Sequence, residues 1–178
     1  MKCSIVDIHT HRPTGKALEP SFAGIHPWQA ETRRIEEIVP RFGEVDLVGE
    51  IGLDYAGTVG REAQLRIFRE QLDWAERLGK PVVLHCVKAF EAVMRELAPH
   101  ALRAVIFHGF IGSPQQAAEA VKRGYYLSFG ERTFRSPRTV EALRRRSKTS
   151  SPKRTKATCR SRRFTAGSPK RKTSTLNC

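Results

Sequence analysis

The chain has 178 residues, 39% of them hydrophobic, with 32 Lys+Arg against 18 Asp+Glu and a formal net charge of +14. That length suits one domain with a real core, and no apolar run approaches the ~18 residues a membrane span needs, so a membrane protein is excluded. The cysteines Cys3, Cys86, Cys159 and Cys178 show no close metal or redox spacing and demand no oxidising compartment, so a reduced, cytoplasmic setting is expected.

The first expected strand, 4–9, is the short β-branched run before Pro13 in "IVDIHTHRP". Residues two apart on a strand share a face, so His9 and His11 aim into one volume at its end. Neutral imidazole is the commonest metal ligand, and the pair suits a divalent cation if partners arrive from elsewhere; otherwise it is a polar strand end. Strand 21–25 follows and delivers His26 in "FAGIHPW". Strand 46–51 carries Glu50 in "VGEIGLD". The run "REAQLRIFREQLDWAERLGK" places Leu65, Phe68, Leu72, Ala75 and Leu78 at three- and four-residue spacing and stops at Gly79, which predicts an amphipathic helix. Strand 81–86 ends on His85, with Cys86 facing the other way. After the helical "FEAVMREL", strand 104–108 ends on His108. "SPQQAAEAVKRG", strand 125–129 and "SPRTVEALRRR" complete the pattern, with Ser113 and Ser136 as helix N-caps before prolines.

Strands alternating with helices predict a parallel sheet wrapped by helices. In such folds the C-terminal ends of the strands converge on one mouth, where active sites are built. Five strands that each bring a His or Glu to that rim predict one site rather than scattered core histidines.

The charge is divided unevenly. Residues 1–143 hold 19 of the basic residues and all 18 acidic ones, whereas 144–178 hold 13 basic residues and no acidic one. Only Ala157, Cys159, Phe164, Ala166, Leu176 and Cys178 are hydrophobic in that tail, too few for a packed element, so 144–178 is expected to be a disordered, low-complexity basic tail. Such a composition suits salt-sensitive contact with nucleic-acid phosphates.

"DIHTHRP", "FAGIHPW", "VGEIGLDY", "QLDWAERLGKPVVLHC" and "IFHGFIGS" occur in the order and approximate spacing of the TatD family of metal-dependent hydrolases, in the amidohydrolase-like superfamily, and the chain resembles that family over about residues 4–143. The resemblance implies an α/β fold, a (β/α) TIM-type barrel that is incomplete here, with about six of eight strands in residues 1–143. It implies that His9 and His11 ligate one divalent ion and His85 and His108 a second, with Glu50 bridging the two. His26 would lie in the substrate pocket, lined also by Asp54 and Tyr55. The implied activity is cleavage of phosphoester bonds, chiefly in DNA, of 3′–5′ exonuclease type, with Glu50 and His26 as catalytic groups. Mixed nitrogen and carboxylate ligands suit Zn²⁺ or Mn²⁺ better than an all-oxygen Mg²⁺ cage. Arg12 and Lys88, just past the rim, would hold a substrate phosphate; Lys88 stands where family members often carry an arginine, and it lacks the bidentate fork. DNA is thus the expected partner, with no membrane and no protein partner implied.

The chain departs from the family at one point. The Glu-Thr-Asp motif that ends a seventh strand, whose aspartate completes the first metal site, is absent from residues 144–178. Shifting the frame of "SPKRTKATCRSRRFT" by one base permits Glu-Thr-Asp-Glu-Gly-Asp-Val-Pro-Ile-Glu-Glu-Ile-Tyr-Arg from the Pro152–Lys153 junction, which matches the family's own continuation. This points to a frameshift between about Arg144 and Ser151, a reading that the nucleotide sequence decides. Two alternatives stand beside the nuclease. One is a non-catalytic partial barrel whose basic tail binds nucleic acid non-specifically. The other is a different hydrolytic substrate in the same site, such as a cyclic amide or lactone.

Overall fold

The computed structural model describes residues 19–130 and 135–142, together with the strand segments Arg162–Phe164 and Thr173–Thr175. The expected first strand, with His9, His11 and Arg12, lies outside the described residues. After β1 (Phe22–Ala23), two 3-10 turns, Pro27–Gln29 and Ile35–Glu37, lead to the single-turn helix α1 (Val39–Phe42). Next come β2 (Leu47–Asp54), α2 (Arg61–Arg77), β3 (Val82–Val87), α3 (Phe90–Leu97), β4 (Val105–Phe107), α4 (Pro114–Lys122) and β5 (Tyr126–Leu127). The five strands lie side by side in chain order and each neighbouring pair is parallel. Among the described residues the sheet is an open arc of a (β/α) barrel, and each expected strand from 21–25 onward has its counterpart. Residues 137–142 are helical, as expected after Ser136.

Two local differences have physical causes. β2 runs to Asp54, three residues beyond the expected end, because Gly52 lets it hug β3: at φ +136° a Cβ would come within 2.1 Å of the His85 carbonyl oxygen. Leu78 is 41% exposed although it falls on the apolar stripe of α2. The helix has ended at Arg77 and the chain leaves it through Gly79 at φ +60°, so the periodicity no longer applies to Leu78. In the tail, Arg162–Phe164 pairs antiparallel with Thr173–Thr175.

Alternation along the strands sorts the core into two layers. Val48, Ile51, Leu53, Val82, Leu84, Val105 and Phe107 join one large cluster with Leu65, Phe68 and Leu72 of α2 and Val93 and Leu97 of α3. Each fully buried side chain of this size contributes about 1.5–3 kcal/mol. The other face of the same strands carries a small cluster, Leu47, Val83 and Ile106, with Phe22 packed against it. This inner face becomes polar toward the strand ends, where His85 follows Val83 and His108 follows Ile106 by two residues.

Candidate functional site

The site stands on strand ends that two helix glutamines hold in place. Gln71 is fully buried on α2; its Oε1 accepts the Ile25 N–H at 2.6 Å and its Nε2 donates to the Ile25 carbonyl at 3.1 Å. It occupies the place of a neighbouring strand and presents the next residue, His26, to the inner face. Gln64, one heptad earlier and also buried, does the same for Asp54: it accepts the Asp54 N–H at 2.7 Å and donates to the Asp54 carbonyl at 3.0 Å. Unpaired buried main-chain groups are costly, so these side chains satisfy the backbone just past the end of β1 and at the last residue of β2.

Three sequence-predicted residues meet there. Ligand atoms of His26, Glu50 and His85 all lie within 4.8 Å of one another. His85 Nδ1 is 3.0 Å from Glu50 Oε1 and 3.1 Å from His26 Nε2, and the two imidazoles pack edge to face. The His26 Nδ1 accepts the main-chain N–H of Trp28 at 3.3 Å, which in the neutral ring leaves the proton on Nε2. Asp54 stands behind His85, its Oδ2 3.0 Å from His85 Nε2. The same oxygen accepts the Trp28 indole N–H at 2.8 Å, and Oδ1 accepts the Ala56 N–H at 2.9 Å. Asp54, expected to line the pocket, is instead 4% exposed and outside the cavity wall, because its carboxylate is taken up by His85, Trp28 and Ala56.

The electrostatics follow from these contacts. Burial disfavours the charged His85 ring, but hydrogen bonds to Glu50 and Asp54 and their negative charges outweigh it and raise its pKa. Burial likewise opposes charge on Asp54, and the bonds from His85, Trp28 and Ala56 more than offset it, so its pKa is lowered. Burial raises the Tyr55 phenol.

The cluster opens into a cavity of about 1720 Å³. Tyr55, Lys88 and His108 line it, as do Arg41, Arg61, Arg95 and Arg138 against the acids Glu50, Glu62 and Glu91. Arg61 lies over the Tyr55 ring at 4.5 Å, and Trp28, 62% exposed, stands at the wall. His108 sits level with His85 one strand over, since Leu84 pairs with Phe107; it lines the cavity but stays outside the three-residue cluster. His9, His11 and Arg12 lie outside the described residues.

The sequence reading passed over Gln64, Gln71 and Trp28. The glutamines had a signal: two long amides seven residues apart, within the apolar stripe of α2, occupy core positions where a polar side chain needs a buried partner. Trp28 stood in "FAGIHPW", directly after the histidine and proline, without a geometric cue to its role.

The donor set is chemically suited to a divalent cation, since it joins imidazole nitrogen and carboxylate oxygen at ligand spacing on one concave surface. A family model described as TatD related DNase matches residues 15–151 of the chain. The 3′-5′ ssDNA/RNA exonuclease TatD of Citrobacter koseri is 33% identical over 115 residues, 60% of this chain and 44% of that protein. A metal-dependent hydrolase of Bacillus subtilis, YabD, is 37% identical over 90 residues, 49% of this chain and 35% of the relative. The crystal structure of a TatD homologue from Escherichia coli K12 superposes with a TM-score of 0.63 at 30% identity, covering 70% of this chain and 52% of that one. The chain thus spans about half the length of the relatives it matches.

Proposed function

Because the chain belongs to the family of TatD-related DNases, we propose that it is a metal-dependent phosphoesterase that shortens single-stranded nucleic acid from the 3′ end, with DNA as the principal substrate. The observation that carries this reading is the His26–Glu50–His85 cluster at the mouth of a cavity rimmed with arginine and lysine. Glu50 and His85 would hold a divalent cation, with His108 and the histidines at 9 and 11 completing a two-ion site. Such an ion, when bound, supplies Lewis acidity toward a phosphoryl oxygen and a water that deprotonates near neutrality.

The chain's own residues do the rest. Lys88, Arg61 and Arg95 draw the polyanionic backbone into the cavity. The exposed indole of Trp28 gives an unpaired base a stacking face beside the cluster, which favours single strands over duplex. The Nε2–H of His26, which points at His85 Nδ1 in this structure, would turn to a phosphate oxygen when that nitrogen holds a cation, and the Glu50 carboxylate would accept the proton of the attacking water.

The test incubates the full chain and Mn²⁺, Zn²⁺ or Mg²⁺ with a 5′-labelled single-stranded DNA. Release of nucleotides stepwise from the 3′ end, abolished by chelation and by Glu50→Gln, is the expected result. Binding without cleavage that survives Glu50→Gln and disappears on deletion of residues 144–178 would replace the enzyme by the non-specific nucleic-acid binder.

A further inference from the structure

The position of Asp54 has a consequence for which nitrogen of His85 faces a ligand. The two ring nitrogens each have a carboxylate oxygen at 3.0 Å, Glu50 Oε1 at Nδ1 and Asp54 Oδ2 at Nε2. The two carboxylates are not equivalent. Asp54 is walled off from the cavity, and both its oxygens are engaged, Oδ1 by the Ala56 N–H and Oδ2 by the Trp28 indole N–H. An oxygen that already accepts one N–H keeps a second lone pair for another, and His85 Nε2 stands 3.0 Å from Oδ2. Glu50 and His26 line the cavity, and His26 turns its Nε2 toward His85 Nδ1. Because His26 Nδ1 accepts the Trp28 N–H, its Nε2–H is the donor in that contact, which makes His85 Nδ1 an acceptor and leaves the His85 proton on Nε2, toward Asp54.

We propose that Asp54 is a positioning residue that keeps the proton of His85 on Nε2, so that Nδ1 is the atom offered, with Glu50, to a divalent cation. This deepens the metal-dependent reading and rests on it. Second carboxylates of this kind orient a ligating imidazole and raise its basicity, and their loss weakens metal binding roughly 10–100-fold. Trp28 enters the same chain, since its indole N–H fixes the oxygen that receives the His85 proton.

Two measurements on the full chain separate this inference from the reading beneath it. In the metal-free protein, at a pH where the ring is neutral, long-range ¹⁵N–¹H correlation spectra assigned with His85→Gln should show the His85 proton on Nε2. A proton on Nδ1 overturns the inference whatever metal binds. Zn²⁺ affinity by chelator competition should then fall roughly 10–100-fold in Asp54→Ala and by a smaller factor in Trp28→Phe, which keeps the ring and loses the N–H. If Asp54→Ala retains the wild-type melting profile without metal and binds Zn²⁺ as tightly as wild type, Asp54 does not position the ligand. Should Asp54→Ala fail to fold, Trp28→Phe decides: an unchanged His85 resonance together with unchanged Zn²⁺ affinity overturns the proposal. A wild-type chain that binds no Zn²⁺, Mn²⁺ or Co²⁺ removes the metal-dependent reading, while the tautomer measurement still judges the hydrogen-bond assignment.

Discussion

The two faces of the five-stranded sheet are built differently. Under the helices, Leu84 and Phe107 belong to a continuous apolar cluster, and rings of Phe90, Phe110 and Tyr125 surround Phe107 at 5.9–6.3 Å. One residue away along the same strands, Val83 and Ile106 belong to a layer of three buried side chains and Phe22, beyond which the face turns to histidine and glutamate. The backbone pairs the same way for both. The difference teaches that the helix-facing side holds most of the buried apolar packing, and that the inner side is thereby released to carry polar groups at the strand ends.

On folding, Phe107→Ala should be the most damaging substitution, costing about 3–5 kcal/mol in chemical denaturation, while its neighbour Ile106→Ala should cost about 2 kcal/mol. Equal costs would mean that the inner layer is packed as heavily as the outer, and the contrast would fail. Gln71→Leu crosses the two faces. It keeps the volume in the helix layer but leaves the N–H and C=O of Ile25 buried without their partner, at ~1–3 kcal/mol for each such group. It should also slow nucleotide release, because His26 follows Ile25, and release at the wild-type rate would show that the strand end holds without it.

The third test lies outside both faces. Arg69 of α2 grips Glu96 of α3 through two bonds, 2.7 and 3.0 Å, and this hydrogen bonding holds the Glu96 pKa below the ordinary carboxylate range. Arg69 is mostly solvent-exposed, so Glu96→Gln should cost at most about 1 kcal/mol at pH 7. A lowered folded pKa contributes stability that is present above the unfolded value of about 4.3 and lost as pH falls through the folded one. The gap between wild type and Glu96→Gln in urea melts should therefore hold from pH 7 to 5 and close in acid; a gap that widens in acid contradicts the assignment. The smallest effect on folding is expected at the site itself. Glu50→Gln, close in shape, should shift the metal-free midpoint by less than about 1 kcal/mol while nucleotide release falls by roughly 10² or more. A large loss of stability would return the inner face to a structural role.

Much of this could be read along the chain. The alternation of Val82, Val83, Leu84 and His85, and of Val105, Ile106, Phe107 and His108, already places the histidines on one face, since period two is a covalent property of an extended strand. The stripe Leu65, Phe68, Leu72 and Ala75 located α2 for the same kind of reason. Asp54 was different. Nothing in "VGEIGLDY" says whether the strand stops before it or carries it on beneath the rim, because the answer depends on Gly52 meeting the His85 carbonyl and on Gln64 receiving the Asp54 backbone.

The sequence by itself determined the order of strands and helices, the face each side chain takes, and the family to which the motifs belong, because periodicity and motif spacing are local and survive any tertiary arrangement. Only the folded structure decided that His26 rather than His108 stands against His85, that Asp54 lies behind the site instead of in it, and that two glutamines hold the strand ends. Those are contacts between residues 10 to 59 positions apart, set by the register of neighbouring strands and by how closely glycine lets them approach.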